Sequence, residues 1–174
     1  MKRVIFLIVI SLVGTSLMFA QTLKIALLDM DRIMEDSKAT QDAQTQFSAE
    51  TEQWERELNK IDKEIQGMKT EFEARQLTLT EAGKTQAQER IDTKVLERRQ
   101  FIENIFGESG KAMQRNAELL EPIMIELKDV IEKVALENDY SIIFDAVGGG
   151  VLYAKPGLDI TELVIEGLDK STGN

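Results

Sequence analysis

Trp54-Glu55-Arg56-Glu57-Leu58-Asn59-Lys60-Ile61-Asp62-Lys63-Glu64-Ile65-Gln66-Gly67-Met68-Lys69-Thr70-Glu71-Phe72 is the stretch whose reading decides the fold. Its apolar residues (Trp54, Leu58, Ile61, Ile65, Met68, Phe72) are separated by steps of 4, 3, 4, 3 and 4. On an α-helix that spacing makes one narrow stripe, the a/d seam of a coiled coil rather than the broad apolar face of a globular helix. The intervening Glu, Lys, Arg, Gln and Asp suit a solvated face. Between Ser37 and Arg75 there is no proline and Gly67 is the only glycine, so the helix has no reason to stop. Phe47 lies one heptad before Trp54.

The pattern breaks at Leu77-Thr78-Leu79-Thr80, where Thr80 followed by Glu81 suits a helix N-cap. A second long helix is expected from about Glu81 to Glu137. Its first part carries Ile91, Val95, Ile102 and Ile105, with Arg98 at the intermediate seam position. Two helices with one apolar stripe each, joined by a tight turn, pair antiparallel because neither has anything else nearby to bury its stripe against. At about 1.5 Å per residue, Phe47 to Leu79 makes an arm on the order of 48 Å long. Off the seam, Leu77, Leu79, Leu96, Phe101, Phe106 and Met113 are the apolar residues free to contact a partner. Gly107 and Gly110 weaken the second helix and mark where the arm bends as it leaves the body, or where packing needs small residues. Pro122 favours a kink.

Outward from the arm the pattern changes. Leu23 to Leu28 is a short apolar run closed by Asp29, which suits a buried strand. Asp29 or Asp31 then caps a short helix beginning near Arg32. Beyond Gly110 the stripe widens to Leu119, Leu120, Ile123, Met124, Leu127, Val130, Ile131 and Val134, the face of a helix packed into a compact body. Ser141-Ile142-Ile143-Phe144 reads as a strand, Gly148-Gly149-Gly150 as a turn, and Val151-Leu152-Tyr153 as the returning strand of a hairpin. Asp159 or Thr161 caps a last helix, Glu162 to Leu168. The expected fold is α+β and mostly helical. A small body made of residues 21–38 and 113–174 carries an inserted helical-hairpin arm, residues 39–112. So small a body hides its apolar helix and three strands poorly, and association between bodies would cure this.

Residues 1–20 form a separate object. Lys2 and Arg3 precede the apolar run Val4–Val13, and Ala20 suits the position before a cleavage site. This is the pattern of a secretory leader removed near Ala20, which leaves a chain in an exported compartment.

The 174 residues include no His and no Cys. No disulfide, thiolate metal site or Cys nucleophile is available, and the usual general base is missing. The net charge of -10 argues against nucleic acid. Gly148–Gly150 lacks the Lys-Ser/Thr that a phosphate loop needs. Asp29, Asp31, Glu35 and Asp36 lack the glycine and terminal Glu of a calcium loop, and helix capping accounts for them. No nucleophile–base pair with His or Cys can be built, so no catalytic site, cofactor or metal is expected.

The leader, Leu23-Lys24-Ile25-Ala26-Leu27-Leu28-Asp29-Met30, the cysteine-free helical hairpin, Leu119-Leu120-Glu121-Pro122-Ile123, Asp139-Tyr140-Ser141-Ile142-Ile143-Phe144-Asp145, Val151-Leu152-Tyr153-Ala154 and Leu158-Asp159-Ile160-Thr161 together resemble the Skp (OmpH-like) periplasmic chaperones. The resemblance covers essentially the whole mature chain. It implies a homotrimer joined through the body strands, with Leu23, Ile25, Leu27, Ile142, Phe144 and Leu152 as interface candidates. Three arms would then enclose a cavity that holds unfolded outer-membrane proteins in the periplasm without ATP. The other reading is a trimeric coiled-coil structural or adaptor protein of the envelope.

One feature departs from the basic arms of well-studied family members. Residues 42–111 carry 11 Lys and Arg against 15 Asp and Glu, and residues 114–174 carry 5 against 12. General attraction to anionic lipid or lipopolysaccharide is therefore doubtful, and only Lys69, Arg75, Lys84 and Arg90 near the tip offer local basic groups.

Overall fold

The computed structural model describes residues 23–173, and the expected leader lies outside them. Strand β1 (Ile25–Leu28) is followed by a short helix α1 (Met30–Asp36), which starts at Asp29 as expected. The Asp29 carboxylate accepts the Arg32 N–H at 2.9 Å. Ser37 then works at two helix ends. Its N–H donates to Ile33 O of α1, and its hydroxyl oxygen accepts the Thr40 N–H that opens α2 (Lys38–Arg75). Ser37 is fully buried, so these bonds leave its polar atoms satisfied.

α2 is unbroken over 38 residues, about 57 Å of helix. The turn closes with Thr78 and Leu79 N–H groups on Arg75 O, and Thr80 caps α3 (Glu81–Phe106) through the Gly83 N–H. The expected second long helix is not continuous. It ends at Phe106 and restarts as α4 (Lys111–Glu137). The cause is close approach rather than unusual dihedrals. A Cβ on Gly107 would sit 2.4 Å from Glu103 O, and one on Gly110 would sit 2.5 Å from Ile105 O. Only glycine lets the chain fold this tightly over the end of α3. Pro122, by contrast, lies inside α4 on its exposed face. There the carbonyl it leaves unbonded is free to meet water.

α4 ends at Asn138, and Asp139 adopts a left-handed φ of 56°. The chain then enters β2 (Ile142–Asp145), which pairs parallel with β1, Ile25 opposite Ile142 and Leu28 opposite Asp145. The expected hairpin does not form. Val151-Leu152-Tyr153 has no strand partner among the described residues, and Leu152 is fully exposed. β1 takes the neighbouring place instead. The Ser141 N–H donates to Lys24 O at 2.8 Å and the Ala146 N–H to Leu28 O at 2.7 Å. The Asp145 carboxylate meanwhile accepts the Val147 N–H, so the chain turns at once instead of returning alongside β2.

A single 3-10 turn (Pro156–Leu158) leads to the other edge of β1. There Leu27 bridges Asp159 and the Ile160 N–H donates to Leu27 O at 2.8 Å. The last helix, α5 (Thr161–Thr172), takes Ile160 as its cap residue while the Asp159 carboxylate accepts the Thr161 N–H. The Thr161 hydroxyl oxygen accepts the Asp29 N–H at 3.0 Å, which ties the end of β1 to the start of α5. α4 and α5 close the core over β1 and α1, with Ile33, Leu127, Val164 and Leu168 at its centre. Gly167 allows the two helices to meet, since a Cβ there would lie 2.7 Å from Val130 Cγ1. The result is the α+β, mostly helical fold expected, with two strands among the described residues where three were expected.

Candidate functional site

The seam between α2 and α3 is buried only in part. Ile61 and Ile65 of α2 and Ile91 and Ile105 of α3 are buried, while Trp54, Leu58, Met68, Phe72, Val95 and Ile102 are only half-buried. Two helices alone cannot enclose a seam, because each residue has a neighbour on one side and water on the other.

Ion pairs join the two sides. Arg98, at the polar seam position, holds Asp62 through Nε and Nη2. Lys94 bridges Glu64 across the pair at 2.7 Å and Glu97 along its own helix at 3.0 Å. The Lys94 hydrogen bond holds the Glu64 carboxyl below its usual range. At the root, Arg115 of α4 grips Glu50 of α2 with three contacts of 2.9–3.0 Å. That hydrogen bonding lowers the Glu50 carboxyl pKa. Next to it, Trp54 and Phe106 meet edge to face with ring centroids 6.4 Å apart. The Glu50–Arg115 and Trp54–Phe106 contacts thus lie on either side of the Gly107–Gly110 break. The ion pairs left no mark in the sequence, because they join residues 30 to 65 positions apart whose types are common on any charged helix.

The contact candidates do not form one patch. Leu77 projects from the tip almost fully exposed, with Leu79 half-buried beside it. Leu96 is exposed midway along α3, Phe101 is half-buried, and Met113 is exposed at the start of α4. Phe106 is partly occupied by Trp54. Of the basic groups near the tip, Arg75 pairs with Glu71 and Lys84 with Glu81.

On the body, Ile142 and Phe144 lie on the exposed face of β2, and Leu23 and Leu152 are exposed beside the sheet. Ile25 is half-buried and Leu27 is buried in its own chain. Among the described residues, no group of three or more acidic side chains could hold a metal ion, and no helix is long and apolar enough to cross a membrane.

Comparison with known proteins gives three findings. Residues 24–168 match the model of the family described as outer membrane protein (OmpH-like). An uncharacterized protein of Aquifex aeolicus (strain VF5) is 25% identical over 149 residues, covering 86% of this chain and 88% of that one. A crystal structure from Caulobacter crescentus CB15, named for an OmpH-like outer membrane chaperone, superposes with a TM-score of 0.77 at 17% identity and covers 86% of each chain. That likeness is one of fold.

Proposed function

The chain belongs to the OmpH-like outer membrane protein family, and from that premise we propose that it is an ATP-independent holdase of the periplasm. Its clients are unfolded outer-membrane proteins, held in a cavity between the arms of a homotrimer. The leader, cut near Ala20, would send it there. The observation that carries the reading is the arm: two paired helices standing on a small body, with a half-open seam and apolar residues at the surface along their length. Such an arm offers many weak contacts and no fixed pocket, which suits a client with no fixed shape. An unfolded barrel chain exposes strand edges and alternating apolar residues that aggregate, and enclosure lowers encounters between chains.

The body supports self-association. Ile142, Phe144, Leu23 and Leu152 leave apolar surface at a sheet of two strands, whose β2 has β1 as its only strand partner among the described residues. In this reading residues 21–38 and 113–174 form the trimer and residues 39–112 the arm, which pivots at Gly107–Gly110. The protein acts by binding and release, without catalysis.

The test is dilution of a urea-unfolded outer-membrane barrel protein into buffer without nucleotide, followed by light scattering. Near-stoichiometric trimer should suppress aggregation. No suppression, with capture of one folded envelope protein instead, would establish the adaptor reading.

A further inference from the structure

Toward the tip, α3 continues its seam with Gly83 and Ala87 where large residues would be needed to fill the space opposite Phe72. A cleft of about 240 Å³ remains, walled by Phe72 and Leu79 and floored by Gly83 and Ala87. Three charged side chains stand at its rim: Glu71, Arg75 and Arg90. Glu71 is taken by Arg75 at 2.9 Å. Arg90 has neither a side-chain hydrogen bond nor an ion pair with any described residue, so its guanidinium has donors left to offer, although Glu89 and Glu97 line the groove next to it.

We propose that this cleft seats the C-terminal residue of an unfolded polypeptide, with its apolar side chain inside and its free carboxylate on Arg90. The assignment rests on the arm's client being an unfolded polypeptide. Three features favour that occupant. The volume is below the roughly 300–1,000 Å³ of small-molecule sites and suits one side chain. Leu79 of the turn lines the cleft and adds a second apolar wall beside Phe72. An arginine at the mouth offers a carboxylate paired, charge-assisted hydrogen bonds, one of the recurring modes of peptide capture.

The test uses the mature protein and fluorescein-labelled hexapeptides ending in Phe, as free acids and as amides, read by anisotropy. The free acid should bind about tenfold more tightly than the amide, the size expected of one hydrogen-bonded charge. Arg90→Gln should abolish that preference, and Ala87→Leu should weaken both peptides by filling the cleft. Circular dichroism should show unchanged helix content in both variants. Equal binding of acid and amide, or an acid preference that survives Arg90→Gln, would overturn the assignment. So would displacement of the peptide by lysophospholipid at lower concentration than by unlabelled peptide. Run beside it, the aggregation assay separates the two ideas. Suppressed aggregation without acid preference removes the cleft assignment alone. Acid preference without suppressed aggregation removes the holdase reading and leaves the cleft.

Discussion

At the scale of single residues, glycines and one ion pair govern the root of the arm. Gly107 and Gly110 both have ordinary negative φ, so what matters is the space a side chain would need. Gly110→Ala places a methyl group 2.5 Å from Ile105 O, against backbone that cannot swing aside. The expected cost is about 1–3 kcal/mol, as for other overpacked sites, measured by urea unfolding. Gly67→Ala, with open space around its Cβ, should instead stabilise the arm by about 1 kcal/mol through helix propensity. Both glycines of the break were visible in the sequence, but composition alone could not separate a hinge from a packing need. That distinction depends on which carbonyl comes near. Glu50 gives a pH signature. Arg115 lowers its folded pKa below the unfolded value, so the pair's stabilisation is present above the unfolded carboxyl pKa and is lost as pH falls through the folded one. The difference in urea midpoint between the native chain and Glu50→Gln should therefore shrink as pH is lowered from neutral through the carboxylate range. A difference that stays constant would show that Glu50 contributes by packing alone.

At the scale of elements, what was legible was local. The 4, 3, 4, 3, 4 spacing from Trp54 needs only its own helix to be read, and α2 runs unbroken through it. The β2 pairing was not legible, because its partner β1 lies more than a hundred residues upstream and short apolar runs carry no address. Proximity favoured a hairpin with Val151–Tyr153, and tertiary packing overrode it by giving β2 the already anchored β1. The same contrast predicts how stability is distributed. Ile65 is buried in the thin seam of the arm, whereas Leu168 is fully buried in the body core. Leu168→Ala should cost about 2–5 kcal/mol and lower the global unfolding midpoint. Ile65→Ala should instead speed amide hydrogen exchange in α2 and α3 while leaving α4 and α5 protected, because the arm's contacts are mostly between its own two helices. Exchange rising equally in all four helices would mean that arm and body unfold as one unit.

At the scale of the whole molecule, the question is what a chain with so little core needs in order to persist. The body core is assembled from one side of α4, one face of a two-stranded sheet and α5, and the opposite sheet face shows Ile142 and Phe144 to water. Leu152 is exposed as well, and exposed apolar surface of this kind is what interaction sites are made of. A copy of the same chain is the partner that the proposed trimer supplies. The net charge opposes this, since residues 114–174 alone carry 12 acids against 5 bases, and bringing three such bodies together raises their mutual repulsion. Association should therefore depend on apolar contact and strengthen with salt, which screens exposed charges over a Debye length of about 8 Å at physiological ionic strength. Sedimentation of the mature chain should show a trimer whose dissociation at low concentration is suppressed by added salt. Phe144→Asp should yield monomers at every salt concentration, with unchanged helix content. Because a cavity between arms exists only in the assembly, that monomer should also fail to suppress client aggregation. A Phe144→Asp chain that stays trimeric would move the interface away from β2, and a monomer that still protects clients would show that single arms are enough.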